Sequence, residues 1–332
     1  MPFARKRFGQ HFLEPAWVAK LVRAIAPGPN DTFLEIGPGH GALTRPLVAR
    51  AQHVIAFEID RDLAAELRAA ALPALTVVDG DFLDIDADEL RETVSGAGQP
   101  GRGPAEAGRH VTLRVAGGPA DEPLKESTYV VSGFSRTTAG PPKGGRHSDF
   151  FTGSEAGRHR TLRVAGNLPY NVASAILFKL IDLHASGIPL VDATVMLQRE
   201  VVDRLVAPPG TREYGVLSVL VGHSADAERV LTLPPGAFRP APTVHSAVVR
   251  LRFHAPRPPT NSPTLFAALV QAIFTRRRKT LANALKAFPL TSSLSPATAL
   301  RQAGLDGQRR PETLSIAELV SLADAFVAGG PV

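Results

Sequence analysis

Cysteine is absent from the 332 residues, which removes disulfides, thiolate metal sites and cysteine nucleophiles from consideration. No stretch approaches the roughly 20 consecutive apolar residues that span a bilayer. The opening MPFARKRFGQHFL also lacks the apolar run of a secretory signal. A soluble cytoplasmic protein without membrane association is therefore expected. The ten histidines show no H-E-x-x-H or comparable ligand spacing, so no metal is expected. Acidic residues are missing from one long stretch: from Arg229 through Leu305 there are eleven Lys and Arg and neither Asp nor Glu. On a chain of net charge +6, that one-signed field suits a polyphosphate partner.

What is present is enough apolar residue, 44%, to bury a full α/β core with a smaller domain attached. From Asp31 to Asp84, short apolar runs alternate with helical stretches: TFLEIG, ALTRPLVARA, HVIAFEI, DLAAELRAAA and LTVVDGDFL. This is a β-α-β-α-β reading and hence a parallel sheet. Strands resume at LRVAGN (162–167) and ATVMLQ (193–198), with a helix from about Ala173 to His184 between them. Residues 96–160 hold 13 Gly and 6 Pro in 65 positions, a composition that points to a disordered insertion over about 91–161. Within it, EAGRHVTLRVAG at 106–117 reappears as EAGRHRTLRVAG at 155–166, differing only at Val111 and Arg160. One repeat is too few for a solenoid, so an inserted element is the better account. Gly118-Pro119-Ala120 follows the first copy and Asn167-Leu168-Pro169-Tyr170 the second, so only the second leads into plausible chemistry. Beyond Phe253, HAPRPPTNSP reads as a linker to helical patterns at LFAALVQAIFTRRRKTLANALKAF, PATALRQAG and SIAELVSLADAFV. The expected division is an α/β domain at 1–255 and a small all-helical domain at 256–332.

Three acidic strand ends, Glu35, Glu58 and Asp81, fall where open α/β sheets bind ligands. Leu34-Glu35-Ile36-Gly37-Pro38-Gly39-His40-Gly41 lies between a strand and a helix, where glycines let backbone approach a ligand. Its G-x-G-x-G spacing places Ala42 where a dinucleotide fingerprint needs glycine, which disfavours NAD. Glu58 can accept hydrogen bonds from both hydroxyls of a ribose, and Asp81-Phe82 can bond and stack an adenine. Together these favour an adenosine-bearing cofactor, although a lone glycine turn also suits a purely structural role.

Asn167-Leu168-Pro169-Tyr170 follows another strand at the same edge. The Asn167 side-chain oxygen and the Leu168 carbonyl suit a site that methylates an exocyclic amine, orienting its hydrogens and localising its lone pair. Pro169 stiffens the turn, and Tyr170 offers a face for a flipped base. The same four residues also suit an ordinary strand-terminal turn. Alternate prolines in Phe238-Arg239-Pro240-Ala241-Pro242 present Phe238 as a second aromatic wall, unless it is a core residue beside a rigid linker. Arg276-Arg277-Arg278-Lys279 is read within a helix, its charges spread around the circumference and at least two reaching phosphates.

These segments resemble the ribosomal RNA adenine dimethyltransferase family. Arg7-Phe8-Gly9-Gln10-His11-Phe12-Leu13 is similar to its cofactor-covering segment, and LEIGPGHGALT, FEID, GDFLDID, AGNLPYNVAS, MLQREVVDRL, YGVLSVL, FRPAPTVHSAVVRL and FTRRRKTLANAL follow in the family's order. The resemblance spans the chain except about 91–161. It implies a Rossmann-like S-adenosylmethionine-dependent methyltransferase domain with a helical C-terminal domain. The implied substrate is two adjacent adenosines in the 3′-terminal hairpin loop of small-subunit ribosomal RNA, each receiving two methyl groups, with the immature small subunit as partner of a monomeric enzyme. By the same resemblance the cofactor contacts fall on His11, Leu13, Gly37, Glu58, Asp81 and Asn167, to which the residue pattern itself adds Gly39 and Phe82. Asn167, Tyr170 and Phe238 then meet the target base. His11 stands where the family usually has Asn. Two rival readings are a large-subunit adenine methyltransferase of the macrolide-resistance type and a non-catalytic assembly factor.

Overall fold

The apolar runs become strands and the amphipathic stretches helices in the computed structural model, which describes residues 12–96, 162–288 and 294–328. A two-residue strand β1 (Phe12–Leu13) and helix α1 (Pro15–Ile25) lead into β2 (Thr32–Ile36), α2 (Thr44–Val48), β3 (His53–Glu58), α3 (Arg61–Ala69), β4 (Leu75–Asp79) and α4 (Ala87–Gly96). Next come β5 (Leu162–Asn167), α5 (Ala173–Ala185), β6 (Leu190–Gln198), α6 (Arg199–Leu205), α7 (Val216–Gly222), β7 (Ala225–Leu233), β8 (Phe238–Arg239) and β9 (Ser246–Phe253). Helices α8 (Pro263–Phe274), α9 (Leu281–Ala284), α10 (Pro296–Gln302) and α11 (Ile316–Ala328) complete the order. The insertion starts later than expected, because residues 91–96 finish α4. Residues 97–161, with the first copy of the duplicated segment, lie outside the described residues, as does His11.

The main sheet has seven strands in the order β4-β3-β2-β5-β6-β9-β7. It is parallel from β4 to β6, as expected, but β9 runs antiparallel to both of its neighbours. The chain leaves β2 outward through β3 and β4, then returns to the other side of β2 with β5 and β6. The order reverses between β2 and β5, and open α/β sheets bind ligands at the carboxyl ends of the strands at such a switch point. Alternation along each strand sorts the core. Leu34, Ile55, Val164 and Val195 join Ile176, Leu177 and Leu180 of α5, while Phe33, Val54, Ala165 and Met196 join Leu21, Ile25 and Leu47 of α1 and α2.

A separate core gathers α8, α9, α10 and α11 around Phe266, Leu281, Leu285, Leu300 and Phe326. Tyr214 and Val219 belong to it, so the helical core reaches back before residue 256. Local signals set these helices. Ser262 and Ser295 accept hydrogen bonds from Leu265 N and Thr298 N, each followed by a proline at the first helical position. Ser315 and Glu318 form a reciprocal capping box at α11.

Near its amino end, β5 is anchored by Arg163. The guanidinium pairs with both Asp192 oxygens at 2.8 Å and with Asp31 at 2.7 Å, and donates to the carbonyls of Ile25 and Ala26. One side chain thereby ties β5 to β6, to the start of β2 and to the end of α1.

Candidate active site at the carboxyl edge of the sheet

The first half of the site is the turn after β2. Gly37, Gly39 and Gly41 have φ of +68°, +57° and +78°, a left-handed region that L side chains rarely enter. Gly37 N donates to Phe57 O of β3 at 2.9 Å, and Gly39 N donates to Glu58 Oε2 at 2.9 Å. Glu58 Oε1 accepts from Asp60 N at 3.0 Å. The carboxylate expected to hold a ribose thus also shapes the glycine turn. Burial pushes the Glu58 carboxyl up from its ordinary range, with the Asp60 and Gly39 amides pulling it back.

Glu35 is not at a strand end but inside β2, fully buried. Burial drives its carboxyl up to about 8; the nearby Thr44 hydroxyl pulls the other way, and the Glu58 charge adds to the rise. Glu35 Oε2 and Thr44 Oγ1 make no hydrogen bond of good geometry. Glu35 is therefore largely a neutral acid at pH 7.

Asp81 lies two residues past β4 and accepts from Leu83 N at 2.9 Å, closing a turn. Phe82 departs from its expected role as an adenine platform. Its ring is in the core, edge-on to Phe57 at 5.5 Å between centroids. Directly after Glu58 in sequence, Ile59 is a large apolar side chain left 51% exposed, and it was not singled out from the sequence. An isoleucine directly after an acidic strand end, outside the buried alternation, was the available signal.

The second half of the site begins at the end of β5. A Cβ on Gly166 would stand 2.6 Å from Ile36 O, so only glycine lets β5 approach β2 this closely. One residue on, the strands' loops meet. A Cβ built on Gly37 would lie 3.9 Å from Asn167 O and 4.0 Å from Pro169 Cδ. The glycine turn and the Asn167-Leu168-Pro169-Tyr170 turn are thus van der Waals neighbours. Leu168 is buried and its N–H donates to Met196 O of β6 at 3.1 Å. Tyr170 is half-buried, and its hydroxyl lies 2.7 Å from Ser246 Oγ at the start of β9. Burial raises the Tyr170 phenol, with the Ser246 bond opposing, so it stays protonated at neutral pH.

Phe238 is only 1% exposed and packs in the core beside α1, so the exposed aromatic wall expected from the prolines is not present in this arrangement. Its backbone has another task. Leu13 pairs with Phe238 and Phe12 with Arg239 across β1 and β8, while Arg239 Nε donates to Glu14 Oε1 at 2.7 Å. The segment expected to cover the cofactor is thereby tied to the one expected near the base.

The basic run also differs from expectation. α8 ends at Phe274, and residues 275–278 form a turn before α9 instead of continuing one helix. The break follows from packing: Leu281, Ala284 and Leu285 must reach the helical core, and α9 is set by Leu281 N and Ala282 N donating to Arg309 O and Gly307 O. Arg276, Arg278 and Lys279 are exposed on this turn. Arg277 is instead neutralised by Glu312 at 3.0 Å, an acid distant in sequence, and donates to Arg212 O.

Among the described residues no cluster of three His, Asp or Glu could hold a metal ion, and no helix is long and apolar enough to cross a membrane.

Known proteins agree with this architecture. Among solved structures, a dimethyladenosine transferase from Plasmodium falciparum shares the fold with a TM-score of 0.62 at 20% identity, covering 97% of this chain and 99% of that one. The 23S rRNA methyltransferase ErmE gives 0.53 at 22%, covering 95% and 99%. The ribosomal RNA small subunit methyltransferase A of Polaromonas sp. strain JS666 is 41% identical over 98% of this chain and 92% of its own length. The protein of the same name from Acinetobacter baylyi is 34% identical over 98% and 93%. Residues 2–326 match the family model described as ribosomal RNA adenine dimethylase, and the chain belongs to that family.

Proposed function

We propose that this chain transfers methyl groups from S-adenosylmethionine to adenine N6 in small-subunit ribosomal RNA, dimethylating two adjacent adenosines of the 3′-terminal hairpin loop. The observation that carries the reading is the closeness of the glycine turn to the Asn167 turn, the two segments proposed to hold the nucleoside and the base. The name that both cited sequence relatives carry, ribosomal RNA small subunit methyltransferase A, supports the RNA class. A monomer acting in the cytoplasm on immature small subunits fits the same reading.

The donor set fits the cofactor. Gly37 and Gly39 leave room where a Cβ would stand, Glu58 offers carboxylate oxygens to a ribose, Ile59 offers an apolar face, and Asp81 closes the far side. Leu13 and His11 are proposed to cover it. When bound, S-adenosylmethionine supplies an electrophilic methyl group on sulfonium sulfur.

The chain's own residues then act by position. The Asn167 side-chain oxygen and the Leu168 carbonyl accept the two N6 hydrogens, holding the amine so that its lone pair faces the methyl. Pro169 leaves no competing amide donor at the turn. Tyr170 supplies the stacking face, and Phe238 stays in the core. No strong base is required, since the N6 proton becomes acidic only after transfer. The exposed Arg276, Arg278 and Lys279 hold phosphates, with the helical region around them as an RNA platform.

Asn167→Ala is expected to lower turnover by roughly 100-fold or more in a tritiated-methyl assay on immature small subunits while retaining RNA binding. Unchanged turnover would remove the clamp role. Absence of transfer by the unaltered protein, despite RNA binding, would instead favour a non-catalytic assembly factor.

A further inference from the structure

Strand β9 opens on a polar residue where an apolar one would serve the core. Ser246 is 0% exposed, and Ala247, Val248 and Val249 after it are fully buried and apolar. Burying a hydroxyl costs free energy unless it finds a partner. Ser246 Oγ has one in the Tyr170 hydroxyl at 2.7 Å, across 76 residues of chain. The serine is unusually well fixed. It pairs with Gln198 of β6 on one side and Leu233 of β7 on the other, and the preceding residue is held by Arg199 N donating to His245 O at 2.9 Å. Tyr170, by contrast, sits on a turn between β5 and α5, outside regular structure.

We propose that Ser246 is a positioning residue: its hydroxyl anchors the outer end of Tyr170 and so fixes the position of the ring on which the target base stacks. The phenolic oxygen lies on the axis of the second tyrosine torsion, so tying it restrains the first torsion, the one that sets where the ring sits. The anchor is the sheet itself, so the ring inherits the rigidity of β9 and not the freedom of its own turn. The two hydroxyls bond to each other inside the fold. Errors of about 1 Å in the placement of reacting groups can cost on the order of 100-fold in rate, and the bond needs to hold the ring only against a fraction of that. The inference rests on the reading of Tyr170 as the base platform.

The test measures kcat and KM on immature small subunits for Ser246→Ala, Tyr170→Phe, their double variant and Tyr170→Ala, with thermal unfolding and S-adenosylmethionine affinity alongside. Ser246→Ala and Tyr170→Phe should each lower kcat by roughly tenfold, with KM and cofactor affinity unchanged. The double variant should fall no further than either single one, since both remove the same bond. Full kcat in either single variant, or losses that multiply in the double, would overturn the proposal. If Ser246→Ala fails to fold, Tyr170→Phe alone decides, because it removes the bond from the ring side and keeps the ring. Tyr170→Ala separates the two levels. Its full activity would overturn the platform reading, whereas its inactivity together with a fully active Tyr170→Phe would overturn only the role of Ser246.

Discussion

Strand β5 carries Arg163 near its amino end and Asn167 at its carboxyl end, and the two polar side chains meet different surroundings. Arg163 is enclosed by Asp31, Asp192 and two backbone carbonyls, so its charge is spent on holding strands together. Asn167 stands half-buried beside the glycine turn, where a nucleoside and a base are proposed to meet. Within one six-residue strand the sheet separates architecture from chemistry. The difference follows from topology: at the amino end the neighbouring segments converge on the arginine, while at the carboxyl end β5 runs into the turn that lies beside the glycine turn after β2.

The separation can be broken most forcefully at the amino end. Arg163→Ala takes the cation from beside the largely buried Asp31 and leaves Asp192 only the more distant Arg250 at 3.9 Å, and should lower stability by about 3–5 kcal/mol in denaturant unfolding. Methyl transfer per folded molecule should not change; a specific loss of kcat would mean that the two ends are not independent.

Glu35 sharpens the contrast, being a buried carboxyl near the opposite end with no cation beside it. Its folded-state value of about 8 lies above the ordinary 4.5, so the folded state binds the extra proton between these limits. Stability is therefore fully present below about pH 4.5 and declines as pH rises through 8, by at most about 1.4 kcal/mol per pH unit. Glu35→Gln should flatten that slope in unfolding measured from pH 5 to 9. An unchanged slope would mean that Glu35 ionises at its ordinary value. The smallest effect concerns the basic turn. Replacing Arg276, Arg278 and Lys279 together by Ala should weaken RNA binding on the order of tenfold and reduce its salt dependence, with kcat at saturating RNA unaffected. An unaltered salt slope would remove this turn from the RNA surface.

Much of this was legible before any coordinates. The strand at 162–167 and the helix from Ala173 came directly from apolar periodicity, and the glycine turn and Glu58 from their spacing. Three features were not, each for a long-range reason. Strand β9 pairs antiparallel with β6 and β7, and the local reading assigned no strand to its residues. Arg277 is neutralised by Glu312, 35 residues away, so a stretch free of acids in sequence is not free of them in space. Phe238 and Phe82 are aromatic residues beside functional turns, and only the packing against α1 and Phe57 shows that their rings are core.

Gly166 carries a consequence for how the two ligands influence each other. A methyl group there would meet Ile36 O at 2.6 Å and could be accommodated only by moving β5 away from β2. That gap is also the distance between the two turns, so cofactor and base are proposed to sense one shared coordinate. Whatever widens the seam weakens both sites at once, and whatever ligand draws one turn inward prepares the other. Cooperativity between the two substrates would then need no moving domain, only a glycine that keeps two neighbouring strands in register and in touch.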